Sequence, residues 1–365
     1  MSIYSNSDIQ AFLELLRAGL WEKEARLSQY KDIDYSTIMR LAEEQSIFGL
    51  VTAGLEKVSD VKIQKEVLLQ FVGSTLQIEK QNKAMNAFIA DLIIKLRKKD
   101  IYAILVKGQG IAQCYEKPLW RSSGDVDLLL SKSNYERAKV LLIPLASEVE
   151  TEYTHFKHQG MTVGGWVVEL HGTLHSRLSK RIDCVIDEAQ SDVFYGGNIR
   201  SWNNGRTPVF LPSPDNDVIF VFTHILHHFF IQGIGLRQIC DWCRLLWTYR
   251  SEINVSLLEQ RLRKAGLMSE WQAFATLAID WLGMPAEAIP LYSSEKKCSR
   301  KANRIIAFVL ECGNFGHNRQ VSIGKIGAHW SKTKVFARHS MVFPLNSVTF
   351  YFHFMVDGLK LAVCK

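Results

Sequence analysis

The sequence predicts an α+β protein in which a small mixed sheet sits between two helical regions. Three observations predict it. Apolar residues recur at three- and four-residue intervals through most of the first hundred positions, and no proline occurs before Pro118. That spacing gathers them on one helical face, and the missing prolines leave the hydrogen-bond ladder unbroken. From Lys98, short β-branched and apolar runs end in glycine turns, the pattern of buried strands. From Pro212 the helical spacing returns.

A chain of 365 residues is long enough for a sizeable core and for two or three domains. The changes of pattern divide it into an N-terminal helical region (1–97), an α/β core (98–211), a C-terminal helical region (212–295) and a basic, aromatic tail (296–365) of unassigned structure. Helices are expected within IQAFLELLRAGLW (9–21), STIMRLAEEQSIFGLVTAGL (36–55) and the stretch from Val61 to Leu96. In the core, IYAILVK (101–107) reads as a buried strand ended by KGQG. GIAQCYEK is then a short helix closed by Pro118, and GDVDLLLS a second strand. SNYERAKVLLIPLA (133–146) opens with a Ser/Asn cap and is periodic, hence a helix. EVETEYTHFKH (148–158) and MTVGGWVVELH both alternate, which predicts an antiparallel pair turning at Gly160. Strands and helices in this order build a mixed sheet.

SPDNDVIFVFTHILHHFF carries acids in its first turn, where the helix dipole favours them, and GLRQICDWCRLLWTYR and SLLEQRLRKAGLMSEWQAFATLAIDWLG follow as helices. In the tail, Pro344 and NSVTFYFHF are expected to break any long helix. No internal repeat or low-complexity tract is present.

Composition narrows the function classes. Hydrophobic residues at 47% and charged residues at 22% are ordinary for a globular protein. A net charge of +7 permits an anionic ligand such as a nucleotide, a nucleic acid or a membrane surface, without demanding one. MSIYSNSDIQ lacks the basic and apolar stretches of a secretory signal. The longest apolar run, VIFVFTHILHHFFIQGIGL (218–236), holds three histidines and a glutamine, so it reads as a buried helix and no transmembrane segment is expected. Seven scattered cysteines suit free thiols in a reducing compartment, which makes the expected location cytoplasmic. Cys240 and Cys243 form a CxxC with no second pair at zinc-site spacing, and read as two half-buried thiols one helical turn apart.

Three short elements carry chemistry. KGQG (107–110) is a glycine turn with a lysine, either a phosphate cradle or simply a tight turn. In RSSGDVDLLL (121–130), Asp125 and Asp127 alternate on one strand face. Such a pair is either a solvated strand end or a hard-oxygen site for Mg²⁺ or Mn²⁺. Glu169, alone among the apolar residues of WVVELHG, tips the balance. An acid there is expensive unless it reaches solvent or a cation. With the two aspartates it would complete a three-carboxylate cluster able to hold two divalent ions, the arrangement for in-line phosphoryl or nucleotidyl transfer.

LVKGQGIAQCYEKPLWRSSGDVDLLL, followed by VVELHGTLH, resembles the polymerase-β-type nucleotidyltransferase superfamily. More narrowly it resembles the bacterial uncharacterised nucleotidyltransferase family, often found near surface-polysaccharide genes. That family's lysine-glycine turn, arginine before G-D-[IV]-D, and later E-L-H strand fall here on Lys107-Gly108, Arg121, Gly124-Asp125-Val126-Asp127 and Glu169-Leu170-His171. The family's histidine-rich helix preceding an aspartate is similar to SPDNDVIFVFTHILHHFF…GLRQICDW, with Asp241 in that place. The resemblance covers roughly residues 100–250. The chain departs from the superfamily in lacking a Gly-Ser pair shortly before the acids, which leaves Gly108 and Gly110 both as phosphate candidates.

The resemblance implies that Asp125, Asp127 and Glu169 hold two Mg²⁺ (or Mn²⁺) ions, with Glu169 completing the site that activates the acceptor. It also implies that Lys107 and Arg121 neutralise phosphate charge, with Gly108, Gly110 and Ser123 beside the triphosphate of an NTP substrate. His171 is a candidate for the acceptor pocket, as are Arg237 and Asp241, for which an i,i+4 helix salt bridge is the plainer account. His155, His158 and His175 surround the same sheet with His171. Metal ligation by this cluster is set against three carboxylates that favour Mg²⁺, for which imidazole is a poor partner. His224, His227 and His228 at helical spacing read as core or lining residues rather than zinc ligands. The implied activity is transfer of NMP from an NTP to a hydroxyl or phosphate acceptor. A small molecule such as a sugar is favoured over nucleic acid. Nucleotidylation of tRNA or protein, and a non-catalytic nucleotide-binding module, are the alternatives.

Overall fold

The computed structural model describes residues 6–152, 157–231, 233–314, 333 and 336–363. The N-terminal helices are α1 (Ser7–Trp21), α2 (Tyr35–Glu44), α3 (Phe48–Leu55) and α4 (Lys65–Arg97). Asn6 caps α1, its side-chain oxygen accepting from the Ile9 N–H, and Asp34 caps α2 through Ser36. Helices α1 and α3 cross with their backbones in contact. A Cβ at Gly19 would lie 1.9 Å from the Leu50 carbonyl oxygen, and one at Gly54 would lie 1.9 Å from that of Leu15.

The core then runs β1 (Ala103–Val106), α5 (Gly108–Ala112), β2 (Asp125–Leu130), α6 (Lys132–Leu142), β3 (Ala146–Val149), β4 (His158–Val163), β5 (Trp166–His171), α7 (Lys180–Phe194), β6 (Ile199–Asn204) and β7 (Thr207–Pro212). The strands form one seven-stranded sheet in the order β3-β4-β5-β2-β1-β7-β6. β2 is antiparallel to β1 and parallel to β5, and β1 is parallel to β7. The sheet is therefore mixed, as expected. Strand alternation splits β2 between two environments. Val126, Leu128 and Leu130 join Ile89, Leu92 and Leu96 of α4 and Tyr135 of α6 in one apolar cluster. Leu129 packs instead into the larger cluster with α8, and Asp125 and Asp127 share its face.

The remaining helices are α8 (Pro214–Ile231), α9 (Leu236–Thr248), α10 (Val255–Ala265), α11 (Met268–Asp280), α12 (Lys296–Cys312) and α13 (Pro344–Val363). Among the described residues no helix is long and apolar enough to cross a membrane.

Two expectations are corrected and one hairpin is added. The hairpin turns at Gly164-Gly165 (φ 59° and 82°), and Gly160 lies inside β4 opposite Glu169. A two-residue turn needs consecutive positive φ values, which Gly-Gly supplies at no steric cost. Gly160 is small because the Glu150 carboxylate lies over it: a Cβ there would be 2.6 Å from Glu150 Oε2. The first strand of the expected pair is only Ala146–Val149, and His155 lies outside the described residues. Strands β6 and β7 form the added hairpin, which alternation did not reveal because Pro208 and Pro212 punctuate it and its outer strand is polar. The second correction is the tail, which holds helices. Pro344 opens α13 at a position where the missing N–H goes unneeded, and the Phe343 carbonyl accepts from Ser347 N–H at 2.9 Å.

Candidate active site

Register assembles the site. On the parallel pair β2–β5, Asp127 stands opposite Glu169, and on β1–β2 it stands opposite Val106, the residue before Lys107. Asp125, Asp127 and Glu169 thus meet on one face, each offering an oxygen, with these atoms within 4.8 Å of one another. Lys107 closes the cluster, its Nζ 2.7 Å from Asp127 Oδ1. Its backbone adopts φ 58° and ψ −145°, a conformation that disfavours any side chain with a Cβ and costs on the order of 1–3 kcal/mol. Chain strain thus coincides with the ammonium that faces Asp127.

Two histidines complete the ring. His171 Nε2 lies 2.8 Å from Asp127 Oδ1 and 3.4 Å from Glu169 Oε2, and His158 Nε2 lies 3.2 Å from the same Glu169 oxygen. The electrostatics follow from these contacts. The negative charge of Asp127 and then burial raise the Asp125 pKa above the ordinary carboxyl range, against the pull of Lys107. Burial opposes the charged form of Glu169, but bonds from His158 and His171 reverse it and hold this carboxyl well below its usual range. Burial likewise works against cationic His171 and Lys107, and carboxylate contacts outweigh it, so both are raised. The donor set fits a divalent cation. Three clustered carboxylates, of which Asp125 resists ionisation even beside Lys107, offer the hard oxygen donors that a divalent cation takes.

Beside the acids, Arg121 is a buried strut. Its Nε and Nη2 donate to the two Asp241 oxygens at 2.8 and 2.7 Å, and Tyr115 Oη donates to Asp241 Oδ1 at 2.7 Å. Asp241 therefore pairs across the fold, and the i,i+4 salt bridge with Arg237 is not formed; the Arg237 Nη1 donates to the Ser122 carbonyl at 3.0 Å. Ser123 Oγ accepts from Arg121 Nη1 at 3.0 Å, and belongs to the same bracket. Asn82, unnoticed in the sequence, supports it from α4 by donating to the Leu119 and Arg121 carbonyls, both at 2.7 Å. A polar residue within the apolar spacing of a long helix was the available signal.

Two cavities flank the cluster and share Lys107, Glu169, His224 and His228 as walls. One, of about 350 Å³, is lined by Gly108, Asp125, Asp127 and Arg237, with Arg121 and Asp241 at its back. The other, of about 320 Å³, is lined by His158, His171, His175 and His227, with Thr173, Ser176 and Arg177. Gly110 lines neither. A Cβ there would lie 2.8 Å from Leu211 Cδ2, so this glycine serves the packing of α5 on β7. His158, His224 and His228 were not singled out as site residues, because helical or strand spacing alone does not say which histidines face a cavity. Cys240 and Cys243 are fully buried rather than half-buried, and burial pushes both thiols up.

The mixed sheet gathers paired aspartates, a glutamate and a lysine beside a cavity, a donor set suited to metal-assisted group transfer. The chain belongs to the uncharacterised nucleotidyltransferase family, whose model matches residues 31–283, a span that contains every residue of the site. No curated protein and no solved structure gives a match.

Proposed function

We propose that this enzyme transfers an NMP group from an NTP to a hydroxyl or phosphate of a small-molecule acceptor, using divalent ions held by Asp125, Asp127 and Glu169. The observation that carries the reading is the register that sets Glu169 beside Asp127 while Asp125 shares their face. When bound, the ions, Mg²⁺ or Mn²⁺ in type and two in number, lower the proton affinity of the attacking hydroxyl and neutralise charge on the leaving pyrophosphate. Lys107 and Arg237 supply positive charge at the wall of the acid-lined cavity, which receives the triphosphate beside Gly108. Arg121 acts by holding Asp241 and, through it, the neighbouring turn of α9. The histidine-lined cavity receives the acceptor. Its hydroxyl, imidazole and guanidinium groups suit a sugar or sugar phosphate, in keeping with a role in surface-polysaccharide metabolism.

In this reading residues 98–211 are the catalytic core, helices of region 212–295 wall the cavities, and region 1–97 supports the Arg121 turn through Asn82. The reaction belongs in the cytoplasm, where NTPs are made and where the free thiols stay reduced.

The test is label transfer. The protein is incubated with each α-labelled NTP and Mg²⁺ or Mn²⁺, together with sugar phosphates, cell extract or tRNA. Pyrophosphate release and a labelled small-molecule product are expected, with at least about a hundredfold loss in Asp127→Asn. Transfer that survives this substitution unchanged sinks the carboxylate assignment. A labelled tRNA or protein in place of a small molecule overturns the acceptor.

A further inference from the structure

The geometry points to a transition-metal site formed by His158, His171 and Glu169, distinct in chemistry from the all-carboxylate set and sharing only Glu169 with it. His158 and His171 are cross-strand neighbours on β4 and β5, and Glu169 precedes His171 by two residues on the same strand face. Their donor atoms converge: both imidazole Nε2 atoms approach Glu169 Oε2, at 3.2 and 3.4 Å. In a tetrahedral site with bonds of about 2.0–2.1 Å, adjacent ligand atoms stand roughly 3.3–3.4 Å apart. The two rings lie with centroids 4.9 Å apart and planes inclined by 41°, so they meet at the carboxylate without stacking on each other.

Donor chemistry selects the ion. Imidazole suits Zn²⁺ and its first-row neighbours and is a poor ligand for Mg²⁺. Two histidines and a carboxylate are the three-ligand set of many catalytic zinc sites, which keep a fourth position open for water or substrate. Both histidines line the 320 Å³ cavity, so that open position faces it. Where the transfer reading takes both ions as Mg²⁺ or Mn²⁺, this site replaces one of them by a borderline cation at the histidine-lined cavity, while a hard cation stays with Asp125 and Asp127. Only the catalytic part of this statement rests on the nucleotidyl-transfer reading; the site itself does not.

The competing account is a pair of imidazole–carboxylate hydrogen bonds with no ion, which the 2.8 Å contact of His171 with Asp127 also suits. Cobalt separates the two. The full chain, stripped of metal with a chelator, is titrated with Co²⁺ and its visible absorption followed. Mixed nitrogen–oxygen sites of low coordination absorb strongly, whereas octahedral all-oxygen sites absorb weakly. A strong band is expected that saturates at one equivalent, is displaced by Zn²⁺ but not by Mg²⁺, persists in Asp125→Asn and disappears in His158→Ala. His158→Cys offers a thiolate from the same strand position with a shorter reach than the imidazole, and any cobalt it binds is expected to add a sulfur-to-cobalt charge-transfer band. Circular dichroism checks that each variant is folded. No strong band in the wild-type protein, or a band unaltered in both His158 variants, overturns the site. A cobalt band without pyrophosphate release from any NTP would remove the transfer reading and leave the metal site standing. Release without the band would do the reverse.

Discussion

At the scale of single residues, Lys107 ties backbone strain to charge. Its φ of 58° is unfavourable for any residue with a Cβ, yet its ammonium is the cation nearest Asp127. Removing the side chain in two ways separates these effects. Lys107→Gly and Lys107→Ala are both expected to lose about a hundredfold or more in transfer activity. Lys107→Gly is expected to be the more stable of the two by about 1 kcal/mol, because glycine accepts this backbone without penalty. Urea denaturation of the pair measures the difference, and equal stabilities would show that the turn carries no strain. The acids were legible at this scale because a strand has a period of two, so spacing alone put Asp125 and Asp127 on one face. Arg121 was legible as a charge and not as half of a pair, since its partner Asp241 lies 120 positions away on another helix. Nothing local announces such a contact.

At the scale of elements, close approach of backbones governs the N-terminal pair α1–α3. A Cβ at Gly54 would sit 1.9 Å from a carbonyl oxygen of α1, and no side-chain rotation relieves a clash with backbone. Gly54→Ala is expected to destabilise the protein by roughly 3 kcal/mol, at the upper end of overpacking costs, measured as a lower urea midpoint. A change under about 1 kcal/mol would mean that the two helices separate freely. Helices with sustained apolar spacing could be read from the sequence, and so could the central strands β1, β2 and β5, whose flanking glycines and apolar runs agree. The hairpin turn was misplaced because Gly160 and Gly164-Gly165 offer the same letter for different reasons. One makes room for a neighbouring carboxylate and the other supplies turn dihedrals. Helix α13 was missed because proline forbids a helix interior but not a helix start.

At the scale of the whole molecule, α11 and α13 meet around a buried acid. Asn346 Nδ2 donates to Glu270 Oε1 at 2.7 Å, while Oε2 has no hydrogen-bond partner among the described residues. Burial raises the Glu270 pKa from 4.5 to about 7, only partly offset by the bond from Asn346. The folded protein therefore keeps a proton that the unfolded chain gives up above pH 4.5, so this contribution to stability is full below that value and is lost as pH rises to about 7. The loss amounts to about 3 kcal/mol at most. Glu270→Gln, which keeps the neutral shape, is expected to flatten the fall in melting temperature between about pH 5 and pH 8. Identical pH profiles for the two proteins would show that Glu270 ionises normally in the fold. None of this is visible in the sequence, where Glu270 is one acid among many on a helix.

Helix α9 runs through the middle of these contacts. Its first residues are held by Gln45, whose Oε1 accepts from Leu236 N–H at 2.9 Å, and Arg121 grips it at Asp241. One turn further on, Arg244 Nε donates to the Cys114 carbonyl at 2.7 Å and Nη1 to the Leu20 carbonyl at 2.8 Å. Arg237, which lines the acid-lined cavity, is carried on the same helix. Breaking one buried charge pair by removing a partner costs roughly 3–5 kcal/mol. The arginine wall of the site is thus clamped to three parts of the chain, and α9 behaves as a fixed jaw. His224 and His228 of α8 wall the same cavity, and α8 is itself packed on α9 through Phe222 and Trp242, so the two walls are braced against each other.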